Sequence, residues 1–167
     1  MDSLRRALAE DFPICWRAVE EGRAWQREQG FVQWSDSYPG EADVMDDLDW
    51  GIGHLLLIDG EVAAYVCLDP SPEPAYSTIA GCWHSDRPYI VVRRITFLRA
   101  YAGRGLARRL FAMVDRQCLA MGYDYIRLNT GKENGRMHSA LAAAGYRLCG
   151  TVVYRGIERL AYDKIEK

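Results

Sequence analysis

The chain has 167 residues, the usual size of one domain, and 49% of them are hydrophobic. A chain of this size and composition can bury an ordinary core, which argues against disorder and against a fibrous repeat. Its 21 basic and 23 acidic side chains give a net charge of −2, too balanced for a protein that binds nucleic acid over its whole surface. We therefore expect one domain over residues 1–167, with any electrostatic function confined to a local patch.

The sequence also argues against membrane and metal functions. No apolar run approaches the roughly 20 residues of a bilayer span, and residues 1–12 mix bases with acids, unlike a signal peptide. Five cysteines are widely spaced without a Cys-x-x-Cys pair, and the three histidines lack paired-ligand spacing. These features predict reduced, mostly buried thiols in a cytoplasmic protein without a metal, a nucleic-acid partner or a membrane partner.

The first third of the chain is predicted to be helical. Apolar residues recur there at roughly helical spacing among charged residues, at Leu4, Leu8, Phe12, Ile14, Val19 and Trp25. Pro13 is expected to divide two helices, and residues 44–50 to add a short acidic helix.

Strand patterns begin at Gly53. Residues 54–58 and 61–68 flank Asp59 and Gly60, which predicts a hairpin with a type I′ turn. A proline-rich loop follows at residues 69–74, then a third strand near residues 76–83 and a fourth over residues 89–97.

Helices and strands alternate in the last third. An apolar stripe predicts a helix from about Arg104 to Gly122, and Asn134 can cap a second helix that ends at Gly145. Further strands are expected over residues 123–128, 146–154 and 158–164. The order of elements predicts an α+β fold with a mixed, mostly antiparallel sheet of six to seven strands, helices on both faces and an N-terminal helical segment.

The turn between the fourth strand and the next helix favours phosphate binding. Residues 101–107 would leave backbone N–H groups free at the positive end of the helix dipole, although a plain loop is also possible. Gly103 and Gly105 would let a diphosphate approach closely. A Gly-Lys-Ser/Thr triplet is absent, and Arg108 stands where a dinucleotide fingerprint needs a third glycine or alanine, so nucleotide hydrolysis and hydride transfer are disfavoured.

Local charge supports an anionic ligand at this turn. Residues 93–116 hold seven arginines and one acid, Asp115, a local charge of +6. In contrast, residues 36–49 hold six acids and no base. This acidic segment could attract a cationic amine to the other end of a cleft, or it could be a solvated helix face.

The turn resembles the phosphate motif of the GNAT family of acetyl-CoA-dependent N-acetyltransferases, Gln/Arg-x-x-Gly-x-Gly/Ala. Gly105 and Ala107 match its last two positions, whereas Ala102 stands at the Gln/Arg position. The order of elements over residues 53–164 is also similar to that of the family. A narrower resemblance is to bacterial GNAT proteins with Gln-Trp, Tyr-Pro and Asp-Thr-His-x-x-Asn-x-x-Met motifs, matched here by Gln33, Trp34, Tyr38, Pro39, Thr130, Asn134 and Met137. Asn129 and Gly131 replace the acid and the histidine of that pattern.

The resemblance implies a binding site for acetyl-CoA. Strand residues near Phe97 would pair with the pantetheine amides, the Phe97 N–H would polarise the thioester carbonyl, and the amides of residues 102–107 would hold the diphosphate. The implied cofactor-binding residues are Phe97, Leu98, Arg99, Ala102, Gly103, Arg104, Gly105, Leu106, Ala107, Arg108 and Asn134. The arginines could instead form a solvated helix face, and Asn134 could be only an N-cap.

Catalytic and acceptor residues are less well defined. Many GNAT enzymes use a tyrosine four residues before the glycine that ends the second helix, but Leu141 stands there. His138 is a candidate general acid because histidine titrates near neutrality, with Tyr146 and Tyr154 as alternatives. An aromatic set could line an acceptor pocket or pack in the core: Trp34, Tyr38, Tyr76 and Trp83.

Two functions remain open at this point, with a structural protein that binds no ligand as a third possibility. The first is transfer of an acetyl group from acetyl-CoA to a primary amine of a small molecule or a protein, by a monomer or homodimer. The second is a non-catalytic sensor that binds acyl-CoA without turnover.

Overall fold

The computed structural model describes residues 1–166. Over this range the chain forms one sheet of eight strands and four α-helices. The strands are β1 (Asp2–Arg6), β2 (Gly53–Ile58), β3 (Glu61–Asp69), β4 (Ala80–Gly81), β5 (Ile90–Phe97), β6 (Tyr125–Gly131), β7 (Arg147–Tyr154) and β8 (Ile157–Ile165). The helices are α1 (Phe12–Glu28), α2 (Glu41–Asp49), α3 (Ala107–Ala120) and α4 (Gly135–Ala143).

The strand order across the sheet is β1-β2-β3-β5-β6-β8-β7-β4. Neighbouring strands are antiparallel except for β5 and β6, which are parallel and pair only at Ile90↔Ile126 and Val91↔Arg127. Beyond Val91 the two strands separate, although β5 continues to Phe97. The sheet therefore opens into a gap at its centre.

Helices cover both faces of the sheet, as predicted. Successive residues of a strand point to opposite faces: Leu55 packs with α1 and α2, whereas Leu56 packs with α3 and α4. The predicted apolar stripe of α3 is buried on its face, with Leu110, Val114 and Cys118 fully enclosed. The α+β class with a mixed, mostly antiparallel sheet is confirmed.

The strand count is higher than predicted because the chain start is a strand. Residues 2–6 pair with β2 and form β1, and Leu4 packs on the core. The helix prediction for this segment was wrong because pairing with a neighbouring strand outweighs local apolar spacing. Pro13 lies in the first turn of α1, where proline is tolerated, and does not divide two helices.

The third predicted strand is mostly a turn. Residues 74–78 form a 3-10 turn that begins at Pro74, and the Glu73 carboxylate accepts from the Ala75 N–H at 2.9 Å. Only the two residues of β4 extend the sheet there, paired with β7. The predicted 54–68 hairpin is confirmed, with positive φ at Asp59 (52°) and Gly60 (84°) as a type I′ turn requires.

A bulge distorts β5 beside the central gap. Tyr65 and Cys67 of β3 face Thr96 and Arg93, so β5 carries an extra residue between these pairs. Arg94 lies at this bulge with φ of 53°. Bulges redirect side chains, and here Arg94 lines a cavity on the α1 and α2 side of the sheet.

Candidate active site

A cleft of about 670 Å³ lies where β5 separates from β6. Its walls are the end of β5, the turn before α3, one face of α4 along its whole length and the last turns of α1. Leu98 N–H donates to the Ala63 carbonyl at 2.9 Å, on the β3 side. Since successive N–H groups of a strand alternate in direction, the Phe97 N–H points into the gap, where no strand pairs with it.

The turn before α3 presents a run of free backbone donors to the cleft. Gly103 and Gly105 have φ of 73° and 72°, a conformation that glycine adopts without strain. Among residues 1–166, no acceptor is found for the N–H groups of residues 103–109. A side chain at Gly105 would meet nothing within 4 Å, so a ligand can approach the backbone there. Free donors at a helix start form an anion site.

A second, smaller cavity of about 70 Å³ adjoins the cleft. The two share Gln26, Ile95, Asn134 and Met137 as walls. We call this second space the acceptor cavity, after the acceptor pocket that the sequence predicts around Trp34 and Tyr38. Its other walls come from the 33–38 loop, from β5 and β6, and from Tyr154 and Arg159 near the β7–β8 turn. The shared residues place the two spaces side by side at the strand gap.

A buried ion pair between Arg94 and Asp47 supports one wall of the acceptor cavity. The Arg94 guanidinium donates to both Asp47 oxygens at 2.8 and 2.5 Å, and Asp47 is 1% exposed. Arg94 also donates to the Tyr38 hydroxyl at 2.7 Å, which lies 3.0 Å from the Tyr154 hydroxyl. Burial raises the pKa of Tyr38, so its hydroxyl stays protonated.

The family model for the acetyltransferase (GNAT) family matches residues 3–146. The chain belongs to the GNAT family. Consistent with this, a GNAT acetyltransferase from Streptococcus agalactiae is 30% identical, with 99% of this chain and 96% of that chain covered and a TM-score of 0.89. No curated protein sequence matches the chain. As a GNAT protein, it is an acetyl-CoA-dependent acyltransferase.

More distant GNAT structures share the fold. One is a GNAT acetyltransferase from Listeria monocytogenes, at 20% identity, 98% and 94% coverage of the two chains and a TM-score of 0.77. Another is the aminoglycoside acetyltransferase AAC(6')-Ib in complex with coenzyme A and kanamycin, at 16% identity, 99% and 95% coverage and a TM-score of 0.72. Among residues 1–166, no helix of this GNAT protein is long and apolar enough to cross a membrane.

Most residues implied by the GNAT resemblance line the cleft. These are Phe97, Ala102, Gly103, Gly105, Leu106, Ala107, Arg108 and Asn134. Leu98, Arg99 and Arg104 are not among the lining residues. Leu98 is buried in the core, and Arg99 stacks on Trp25 and bonds Glu28 at 2.8 Å. The Ala102 N–H donates to the Leu98 carbonyl at 3.0 Å, so the free donors begin at Gly103.

Sequence reasoning missed several walls of the cleft. Gly22 and Trp25 reach it from α1, and Arg136 reaches it from α4, with its guanidinium 5.7 Å from the Trp25 ring centre. The spacing of these residues along their helices is typical of exposed positions, so no sequence pattern marked them as part of the cleft. Gln33 was matched as a motif residue without a role, and here its Oε1 accepts from Thr130 and Asn134 at 3.2 and 3.1 Å.

Gly131 makes room for Gln33. A Cβ at Gly131 would lie 3.1 Å from the Gln33 Oε1. The narrower GNAT pattern has a histidine at this position as well as the glutamine at position 33, so only the histidine ring is missing here. Asn134 lines the cleft and also acts as the predicted N-cap, since its Oδ1 accepts from the Met137 N–H at 3.3 Å.

The predicted acceptor residues divide into two groups. Trp34 and Tyr38 line the acceptor cavity, whereas Tyr76 and Trp83 pack on each other outside it, with ring centres 4.9 Å apart. Tyr76 is linked to the acceptor cavity only through Asn129, a lining residue whose side-chain N–H donates to the Tyr76 hydroxyl at 2.8 Å. None of the six acidic residues within residues 36–49 lines either space.

His138 lies outside both spaces. Its Nδ1 is 2.8 Å from the Tyr162 hydroxyl and its Nε2 is 3.1 Å from the Lys132 carbonyl. Both ring nitrogens are therefore engaged. Tyr146 is buried in the core against Phe111, and Tyr154 is the one of the three candidates that lines the acceptor cavity.

The cysteines show no catalytic environment. All five are free, and four are buried. Burial raises the pKa of Cys118 to about 12. Cys149 lies with His84 and Asp163 in a cluster whose ligand atoms are within 4.8 Å of one another. Burial raises the pKa of Cys149, and His84 bonds Asp163 at 2.7 Å. This cluster is outside both spaces, and the absence of a metal stays a prediction.

Proposed function

We propose that the chain, as one domain over residues 1–167, transfers the acetyl group of acetyl-CoA to a primary amine of a small molecule. The single observation that carries this is that the cleft and the acceptor cavity lie side by side at the β5–β6 gap and share Gln26, Ile95, Asn134 and Met137 as lining residues. The likeness to an aminoglycoside acetyltransferase in complex with coenzyme A and kanamycin supports a small-molecule acceptor.

The hydrogen-bond donors that line the cleft suit the phosphate groups of coenzyme A. The N–H groups of residues 103–109 and the Arg108 side chain offer hydrogen-bond donors and positive charge for a diphosphate. The apolar walls on α1 and α4 suit the pantetheine arm. When bound, acetyl-CoA supplies the acetyl thioester, and the Phe97 N–H is the donor for its carbonyl oxygen.

Tyr154 is the side chain best positioned to protonate the departing thiolate. It lines the acceptor cavity, and its hydroxyl bonds Tyr38, which Arg94 holds in place. Arg94 is a positioning residue in this arrangement, because it reaches the cavity chemistry through Tyr38. Loss of a general acid lowers turnover by about 10²- to 10⁴-fold.

The test is a spectrophotometric assay of thiol release from acetyl-CoA over a mixed panel of amines. We expect release with at least one primary amine. Tyr154→Phe should lower kcat with little change in the KM for acetyl-CoA, whereas Tyr123→Phe, which lies outside both spaces, should leave both unchanged. Acetyl-CoA binding without release for any amine would favour the non-catalytic sensor, which the replacement of the family tyrosine by Leu141 suggests.

A further inference from the structure

Arg159 is a buried arginine in the wall of the acceptor cavity. It lies on β8, between Gly131 of β6 and Val152 of β7, and is 5% exposed. One guanidinium nitrogen donates to the Gln33 carbonyl at 3.0 Å. Its Nε has no hydrogen-bond partner among residues 1–166. A buried guanidinium with an unused donor is costly to the fold unless an anion binds to it.

Arg159 is also the lining arginine that lacks a counterion. Arg93 pairs with Asp69 and Glu73 at 3.1 and 3.0 Å, and Arg94 pairs with Asp47. In the part of the chain that the structure describes, Arg159 makes no salt bridge, and no carboxylate lines the cavity. The wall therefore carries one uncompensated positive charge.

The groups around Arg159 do not neutralise it. Its electrostatic neighbours are the tyrosines at 154, 38 and 76 and the exposed Arg155. Burial lowers the pKa of Arg159, and the tyrosines oppose that change. The Tyr154 ring lies beneath the guanidinium, with its centre 5.6 Å away. An anionic group bound in the acceptor cavity would therefore balance the positive charge of Arg159.

The size and polarity of the cavity indicate the type of anion. A volume of about 70 Å³ admits a group such as a carboxylate and its adjacent carbon. The planar guanidinium matches a carboxylate through two parallel hydrogen bonds. An acceptor with several ammonium groups would instead bring like charge against Arg159, which disfavours binding.

We propose that the acceptor is an amino acid, whose carboxylate binds Arg159 while its amine faces the strand gap. This inference rests on the proposed acetyl transfer and specifies its substrate class. It assigns Arg159 as a specificity residue for the carboxylate.

The test compares matched acceptors in the thiol-release assay. The panel holds the common α-amino acids, their amides and their decarboxylated amines, together with a phosphorylated amine, phosphoethanolamine. We expect kcat/KM for the best amino acid to exceed that of its amide and of its decarboxylated amine at least tenfold. Arg159→Gln should raise the KM for the amino acid and bring this ratio close to one. Because both acceptors are measured on the same variant, the ratio does not depend on how much of it folds.

Arg147→Gln is the matched control, since it removes one exposed arginine from β7 outside both spaces and should keep the preference. Amides acetylated as well as amino acids would overturn the inference and leave acetyl transfer standing. A preference that survives in Arg159→Gln, or a greater activity on phosphoethanolamine, would also overturn it. If no amine releases thiol, the proposed function fails, and calorimetric binding of the same amino acids to the wild type and Arg159→Gln still decides the inference.

Discussion

Gly22 fixes the distance between α1 and the sheet beside the cleft. A Cβ at this position would lie 1.9 Å from the Thr96 Oγ1 and 3.0 Å from its Cβ. Thr96 is 4% exposed, and its hydroxyl donates to the Ala18 carbonyl at 2.6 Å. In Gly22→Ala, either α1 must move away from β5 or the Thr96 side chain must rotate and lose this hydrogen bond.

The size of the effect follows from these contacts. Overpacking a buried contact costs about 1–3 kcal/mol, and a buried hydroxyl without its partner costs roughly 1–2 kcal/mol. Replacing glycine by alanine inside a helix returns about 1 kcal/mol. We expect Gly22→Ala to lower the free energy of unfolding by about 2 kcal/mol, which lowers Tm by roughly 4–8 °C for a chain of this length.

Calorimetric melts of four proteins measure the contact: the wild type, Gly22→Ala, Thr96→Ala and the double variant. Because Thr96→Ala removes the clashing oxygen, the double variant should recover about 1–2 kcal/mol relative to the sum of the single changes. Gly135→Ala is the control, since a Cβ there meets nothing within 4 Å and should not lower Tm. A Gly22→Ala protein that melts with the wild type, or single changes that simply add, would refute this reasoning.

Three further predictions concern other parts of the protein. Gly105→Glu places a negative charge beside the free N–H groups, so calorimetry should show at least a roughly 100-fold loss of acetyl-CoA affinity; Gly60→Glu, at φ of 84° in similarly open space, should retain it. Burial raises the pKa of Glu166 from 4.5 to about 7. Its carboxylate therefore destabilises the fold increasingly from pH 4.5 to 7. Glu166→Gln should raise stability at pH 8 by about 1 kcal/mol and flatten this pH dependence in thermal melts, and an unchanged pH profile would contradict the burial argument. Arg159→Met removes an unpaired buried charge, so Tm should not fall, and a lower Tm would mean that the bond to Gln33 outweighs that charge.

The elements that sequence reasoning found carry strong local signals. The 54–68 hairpin has turn residues that require positive φ, and α3 has an apolar stripe that is buried as expected. The helix prediction at the chain start relied on Leu4 and Leu8. Apolar residues four positions apart can share one face of a helix or one face of a strand, so this spacing does not distinguish the two. The identity of β1 depends on the free edge of β2, which local sequence does not reveal.

The candidate site was only partly predictable for a similar reason. The free donors at residues 103–109 follow from a strand, a glycine turn and a helix that are adjacent in sequence. Arg159 and Gln33 meet only because β8 inserts between β6 and β7, far from the glycine turn in the chain. The anion site that the charge pattern predicts near α3 stays a prediction, and the pattern could not tell that Asp47 is buried against Arg94.

The indole rings give each space an optical reporter. Trp25 forms part of the cleft wall, and Trp34 forms part of the acceptor cavity wall. Intrinsic fluorescence of variants in which Trp25 or Trp34 is the single tryptophan that remains of the chain's five can therefore follow donor and acceptor occupancy separately, without any label. Stopped-flow mixing of such variants would establish the order in which the two ligands enter.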